Sequence, residues 1–595
     1  MDKVNITING KQLSVPANYT VLEAAKEANI NIPTLCFLKD INEIAACRMC
    51  LVEVKGTKAL QAACVYPVSE GMVVNTNTPA VRQARRSNLE LILSNHDRKC
   101  LTCVRNQNCE LQKLAEEFNI TDIPFEGENL EHKIDDLSPS IVRNNNKCIL
   151  CRRCVAVCQK IQKTGVIQAK GRGFKTSIGS IYDKSLNDVA CIMCGQCINV
   201  CPVGALTEKD HITRVWEAIK DPDKYVVFQT APAVRAALGE EFGMPMGTPV
   251  TGKMVAAIKE LGVDKVFDTN TAADLTIMEE GTELLERIKN GGTLPMITSC
   301  SPGWIKYCES YFPEFIPNLS SCKSPHTMMG AVLKSYYAKK EGIDPSKMYV
   351  VSVMPCTAKK YEIDRPEMGV DGLKDVDAVL TTRELARMIK QSMVDFKALD
   401  DATPFDNPMG EASGAAVIFG TTGGVMEAAL RTVGEIIKGS PLEDIDIKVV
   451  RGAESIKEFE IVLPSVTLKG CVVSSTGKAK EVLEAVKAGE KEYHFIEVMG
   501  CPGGCVMGGG QPIVDAKTRR EVDVFALRAG ALYQEDVNSA FRVSHKNPYV
   551  QAFYDEYATE GAGGHTAHHL LHTTYTAREQ YPADLLTKPS FGIKE

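Results

Sequence analysis

Cys148-Ile149-Leu150-Cys151-Arg152-Arg153-Cys154-Val155-Ala156-Val157-Cys158 is answered further along by Cys191-Ile192-Met193-Cys194-Gly195-Gln196-Cys197-Ile198-Asn199-Val200-Cys201-Pro202. Each run reads C-x2-C-x2-C-x3-C, the ligand spacing of two four-iron clusters in which the fourth cysteine of each run serves the other cluster. Cys148, Cys151, Cys154 and Cys201 are therefore expected around one cluster, and Cys191, Cys194, Cys197 and Cys158 around its neighbour. Gln159 stands where a proline usually follows the first run, a departure that changes no ligand. The module is placed at residues 138–210.

Upstream, His96-x3-Cys100-x2-Cys103-x5-Cys109 gathers an imidazole and three thiols, which suits one four-iron cluster; a Cys3His zinc site would use the same donors. Nearer the start, Lys3 to Ile8 alternates polar and apolar residues, and Asn9-Gly10 signals a hairpin turn. Thr20 to Ala28 reads as a capped amphipathic helix. Cys36, Cys47, Cys50 and Cys64 follow at C-x10-C-x2-C-x13-C. Hairpin, helix and four cysteines resemble a plant-type ferredoxin domain holding a two-iron cluster, placed at residues 1–80. The spacing departs from the plant pattern and is similar to that of hydrogenases and of the large iron-sulfur subunit of respiratory NADH dehydrogenase. The His96 motif, placed at 81–120, resembles the His-ligated four-iron cluster of the same two families, and its position between two iron-sulfur modules favours iron over zinc.

The chain has 595 residues, too many for one core, so several domains are expected. Its 68 Lys and Arg against 75 Asp and Glu leave no excess of positive charge for nucleic acid. Neither a signal sequence nor a membrane-length apolar run is read, which gives the expectation of a soluble cytoplasmic protein. A large cytosolic protein does not keep disulfides, so metal ligation is the reading of 22 cysteines. Fifteen lie between Cys36 and Cys201 and seven in the remaining two thirds, dividing the chain into an electron-carrying front and a different back.

From about Tyr225, strand-like runs (Tyr225 to Phe228, Val263 to Phe267, Leu294 to Thr298, Met348 to Met354) alternate with helical stretches such as Gly252 to Leu261 and Met278 to Lys289. The expected fold is thus α+β and α/β multidomain: iron-sulfur modules, then an α/β domain with mainly parallel sheets, whose ligands lie at the carboxyl ends of strands. Cys300, Cys356, Cys501 and Cys505 fall after such ends.

Three segments carry a resemblance: Thr298-Ser-Cys-Ser-Pro-Gly-Trp304, Met354-Pro-Cys-Thr-Ala-Lys-Lys360, and Glu497-Val-Met-Gly-Cys-Pro-Gly-Gly-Cys505 running on to Gln511-Pro512. In this order, behind that front, they resemble the three signatures of FeFe hydrogenases. The resemblance implies reversible reduction of protons to H2 at an H-cluster, a four-iron cubane joined to a diiron unit with CO, cyanide and a dithiolate. It places the catalytic domain at 222–525, with Cys356, Cys501 and Cys505 as cubane ligands and Cys505 bridging. Lys359 would donate to a cyanide, and Met354 and Met499 would pack around the diiron unit. Protons would pass through Cys300, Glu280, Ser320 and Glu283, with Arg287 at the outer end; on residue pattern alone, Glu279, Glu280, Glu283 and Glu286 read as the solvated face of a helix.

The first signature departs from the family, which has two adjacent cysteines where this chain has Cys300 and Ser301. Either Cys300 has taken over the cubane ligand, or it keeps the proton role and Ser301 ligates through oxygen. His326 stands where a glutamine is common. Cys308, Cys322 and Cys471 match no ligand and read as buried apolar thiols. Residues 530–595 resemble the family's small-subunit segment, which makes His565, His568, His569 and His572 part of a structural wrap.

The implied cofactors are one 2Fe-2S cluster, three 4Fe-4S clusters and one H-cluster. Without a G-x-G-x-x-G after a strand, any NAD(P) or flavin site is expected on partner subunits, with ferredoxin as a further partner. A non-catalytic iron-sulfur subunit is the alternative, which the two back signatures disfavour; Ser301 keeps a hydrogen-sensing relative open.

Overall fold

The computed structural model describes residues 2–462 and 467–581; residues 582–595 of the small-subunit-like segment lie outside the described residues. Lys3–Ile8 pairs antiparallel with Lys11–Pro16. Asn9 (φ 50°) and Gly10 (φ 81°) make the two-residue turn, where left-handed backbone matches strand twist. Thr20 caps helix Val21–Glu27 in a capping box with Glu23. The hairpin continues into a five-stranded sheet.

In the two-cluster module both ligand loops bend at the same places. Leu150, Arg152, Met193 and Gly195 all have positive φ (55°, 61°, 57° and 69°), two in each run at matching positions. Three are not glycine, and left-handed backbone costs them about 1 kcal/mol each. Strand Ile141–Arg143 pairs with Leu206–Glu208 and closes the module.

The back of the chain has two four-stranded sheets. In the first, Lys265–Asp268, Tyr225–Thr230, Met348–Met354 and Ala378–Thr381 run parallel in that order. Their apolar runs are buried on both faces, as a helix-covered parallel sheet requires. In the second, Met296–Ile297, Phe495–Met499 and Thr467–Ser474 are parallel, and Ile456–Val462 is antiparallel. The cysteine-bearing strand ends therefore belong to two sheets: Cys356 leaves the first, while Cys300 and Cys501 leave the second. The helix expected from Met278 begins earlier, spanning Asn270–Asn290. Its polar opening hides the true start because Asn270, Thr271 and Asp274 are buried.

Helices Val524–Asn538, Pro548–Glu556 and His565–Leu571 wrap the catalytic half. Arg431, wholly buried, ties this wrap down by pairing with Asp536 (2.9 Å) and Glu427 (2.6 Å).

Candidate active site and cluster ligand loops

All 22 cysteines are free. Cys50 and Cys64 place their sulfurs 3.3 Å apart. A hydrogen bond from Cys36 holds the Cys47 thiol down to about 6, while Cys36 is pushed up by the same partner. Four buried thiols that crowd without pairing suit a thiolate-ligated cluster. His96 Nδ1 is buried with no hydrogen-bond partner, and burial lowers its pKa, so the neutral ring is open for a ligand.

Cys148, Cys151, Cys154 and Cys201 line one small cavity. Cys158 instead lies within electrostatic reach of Cys191 and Cys197. The first of the crossed sets read from the spacing thus shares one cavity; in the second, Cys197 feels Cys201 as well as Cys158 and Cys191.

Both front modules touch the two-cluster module, and they touch each other where Arg85 of helix Pro79–Ser94 donates to Leu51 O (2.6 Å). Asn42 Nδ2, beside the two-iron domain's thiols, donates to Cys36 O (2.7 Å) and Cys151 O (3.0 Å). Arg105, from the loop between Cys103 and Cys109, donates to Cys201 O (3.1 Å). Both modules therefore rest on the same ligand set.

The other ligand set is sewn to the catalytic loops. Thr357 Oγ1 donates to Met193 O (2.7 Å), Gln162 Nε2 to Gly500 O (2.9 Å) and Gln196 Nε2 to Met507 O (3.0 Å). At Gly509 a Cβ would come within 2.1 Å of Cys194 O, so only glycine admits this approach.

Burial raises the Cys356, Cys501 and Cys505 thiols; Cys501 is pushed further by Cys356 and Cys505, and Cys505 by Cys356, whereas Lys359 pulls Cys356 back down. Three convergent thiols with raised pKa values gain by ligating metal, which relieves the burial of a charge. Burial raises the Cys300 thiol most; of its neighbours Glu280 pushes it further up, Lys359 draws it down and Cys505 raises it again. Ser301 points elsewhere: its Oγ accepts from Gly500 N (3.1 Å), immediately before Cys501. Met354 and Met499 close their strands, both buried.

Lys359 Nζ bonds Glu362 Oε2 (2.8 Å) and Cys300 O (3.0 Å). His326 holds the same carboxylate oxygen through Nε2 (2.6 Å) and Ser352 Oγ through Nδ1 (3.1 Å). Burial pushes His326 down to about 4, so at neutral pH it is an uncharged donor and Lys359 alone balances the charge of Glu362. Glu362 was missed in the sequence, although its place three residues after Lys359 on one helix was the signal.

The glutamates are not a solvated face. Glu279 and Glu280 are buried, and only Glu286 is exposed. Glu280 has neither carboxyl oxygen in a hydrogen bond, and burial, with Glu283 nearby, pushes it up to about 8. Ser320 Oγ donates to Glu283 Oε2 (2.9 Å), and Arg287 Nη2 to Glu283 Oε1 (2.6 Å). Cys308 and Cys471 are buried among apolar side chains, whereas Cys322, equally buried, lies beside Glu283 and His572.

Cluster-binding modules joined to an α/β domain with buried thiols and carboxylates define an iron-sulfur oxidoreductase. Residues 224–509 match the C-terminal domain of the iron only hydrogenase large subunit, and 522–578 the iron hydrogenase small subunit. Residues 1–79 match a 2Fe-2S iron-sulfur cluster binding domain, 85–124 the NADH-ubiquinone oxidoreductase-G iron-sulfur binding region, and 138–207 the ferredoxin-like domain of NADH-quinone oxidoreductase subunit 3. The chain is 47% identical to the NADP-reducing hydrogenase subunit HndD of Solidesulfovibrio fructosivorans, covering 98% of this chain and 100% of that protein. It is 44% identical to iron hydrogenase 1 of Clostridium pasteurianum, covering 96% and 99%. A solved structure of the [FeFe]-hydrogenase HydA1 from Chlamydomonas reinhardtii, 41% identical, superposes with TM-score 0.55 over 62% of this chain and 100% of that one. The chain belongs to the FeFe (iron-only) hydrogenase family, as a catalytic subunit with N-terminal iron-sulfur domains.

Proposed function

We propose that this protein interconverts protons and H2 at an H-cluster held by Cys356, Cys501, Cys505 and Ser301, with Cys300 kept for proton transfer. The observation that carries the assignment is the Ser301 hydroxyl sitting on Gly500 N–H beside Cys501, with Cys300 within reach of Glu280 and Lys359 as well as Cys505. When bound, the cluster supplies the iron at which protons are reduced. The chain's own residues do the rest. Lys359, fixed by Glu362 and Cys300 O, presents a buried cation to cyanide; Met354 and Met499 keep water from the diiron side. Cys300, Glu280, Ser320 and Glu283 hand protons inward, Glu280 holding its proton at neutral pH because its ionised form is not solvated.

Four clusters conduct electrons: a 2Fe-2S cluster on Cys36, Cys47, Cys50 and Cys64, and 4Fe-4S clusters on His96 with Cys100, Cys103 and Cys109 and on the two crossed sets. The units take the limits 1–80, 81–120, 138–210, 222–525 and 530–595. The name of the NADP-reducing relative supports an NAD(P)-linked partner; flavin-binding subunits, ferredoxin as a further partner and a cytoplasmic location belong to the same proposal. Among the described residues no helix is long and apolar enough to cross a membrane.

Infrared spectra of the matured protein test the site. CO and cyanide bands are expected in the wild type and in Cys300→Ala, which loses turnover but keeps its cubane. Retained cubane iron in Ser301→Ala together with loss of it in Cys300→Ala would transfer the ligand role to Cys300.

A further inference from the structure

Glu283, the outer carboxylate of the proposed proton route, is closed toward solvent by Arg287. That guanidinium donates to Glu283 and also to the carbonyls of Thr293, Asn318 and Leu319 at 2.8 to 3.2 Å. So tethered, Arg287 is a fixed plug, and a guanidinium does not give up its proton in proteins. The route needs another group to exchange protons with water.

His572, from the C-terminal wrap, occupies the other side. Its Nδ1 lies 2.8 Å from Ser321 Oγ and its Nε2 3.0 Å from Glu279 Oε2. A ring nitrogen of His572, the Glu283 carboxylate and the Cys322 sulfur all fall within 4.8 Å of one another, a span one water bridges. Ser321 N–H donates to Glu283 (3.1 Å), fixing that carboxylate beside the ring. On its far side His572 stacks on His568, with ring centroids 4.5 Å apart, and His568 is exposed. Glu279 is itself held by Gly563 N–H (2.9 Å) and by the Tyr554 hydroxyl, so it orients the ring.

We propose that His572, fed by water at the exposed His568, is the outer relay through which Glu283 exchanges protons with solvent. This rests on the Glu280 to Glu283 route proposed above. With Nε2–H held by the Glu279 carboxylate, Nδ1 is the nitrogen that takes up a proton. The imidazolium then loses one proton, the Glu283 carboxylate gains it, and the neutral ring is recharged from water beside His568; no electron moves. The groups facing the ring are Glu279, Glu283, Cys322 and His568, with Arg287 and Tyr554 beyond them.

His572→Gln separates relay from scaffold, since the amide can still bond Ser321 and Glu279 but cannot carry a proton. In the matured enzyme driven by reduced viologen, this variant should evolve H2 about tenfold or more slowly. Added imidazole should restore turnover, and CO and cyanide bands should stay at their wild-type positions. Independently of turnover, the carboxylic C=O stretch of the route's glutamates should shift in infrared difference spectra. The exposed His568→Ala should show a smaller loss. Activity of His572→Gln within twofold of wild type, or a loss that imidazole leaves unchanged, overturns the proposal. Full activity in Glu283→Gln would instead overturn the underlying route.

Discussion

Glu280 couples function to stability through one proton. Exposed, such a carboxyl ionises near 4.5, but in the folded chain it ionises near 8. Between those values the folded state binds the extra proton, so stability falls as pH rises through that window. Glu280→Gln removes the dependence. The variant is expected to gain on the wild type by up to about 1.4 kcal/mol per pH unit from roughly pH 5 to 8, read by melting curves. H2 evolution should fall at least about a hundredfold. At Ser301, restoring a thiol by Ser301→Cys should leave Cys300 in the proton route and shift the redox potential of the catalytic cubane, seen by electron paramagnetic resonance titration. A shift confined to proton transfer kinetics would show that Ser301 is not at the metal. Residue by residue, the thiols were legible because ligand spacing is local. The carboxylates were legible only through the family resemblance: a surface helix and a buried one show the same Glu279, Glu280, Glu283 pattern, and it is the wrap arriving with Tyr554 and His572 that bonds Glu279.

Between elements, buried polar contacts hold the front against the back. Arg383, on helix Thr382–Gln391, bonds Glu208 Oε2 (2.7 Å) at the end of the two-cluster module's closing strand, and Gly509 O (2.8 Å). Both ion-pair partners are buried. Arg387 still pairs with Glu208 when Arg383 is removed, so Arg383→Ala should lose about 1.5 to 3 kcal/mol in denaturant melts, the worth of its charge-assisted hydrogen bonds. Gly509→Ala acts differently: a methyl cannot fit against Cys194 O, so the two loops must part. Electron delivery to the catalytic centre should slow in flash-reduction kinetics, with dye-to-H2 turnover falling in proportion. These contacts were invisible in the sequence because partners such as Gln162 and Gly500 are 338 residues apart. The strands were visible, since Met348 to Met354 is a buried apolar run, but their division between two sheets depends on pairing that no local pattern encodes.

Across the whole molecule, cluster modules stand upstream of a two-sheet catalytic half that the C-terminal helices wrap. Order along the chain was legible because each module carries its own ligand spacing; arrangement in space was not. The two contacts on the central ligand loops, Asn42 on Cys151 and Arg105 on Cys201, would give the proposed relay two entries to one central set, a fork in place of a single file. Deleting residues 1–80 should therefore leave electrons able to enter by way of His96, Cys100, Cys103 and Cys109, and viologen-driven H2 evolution should persist within a few-fold. A confluence of this kind has a further effect. Two donors of unequal reducing power can discharge into one reservoir without touching each other, and the centre downstream responds to their sum.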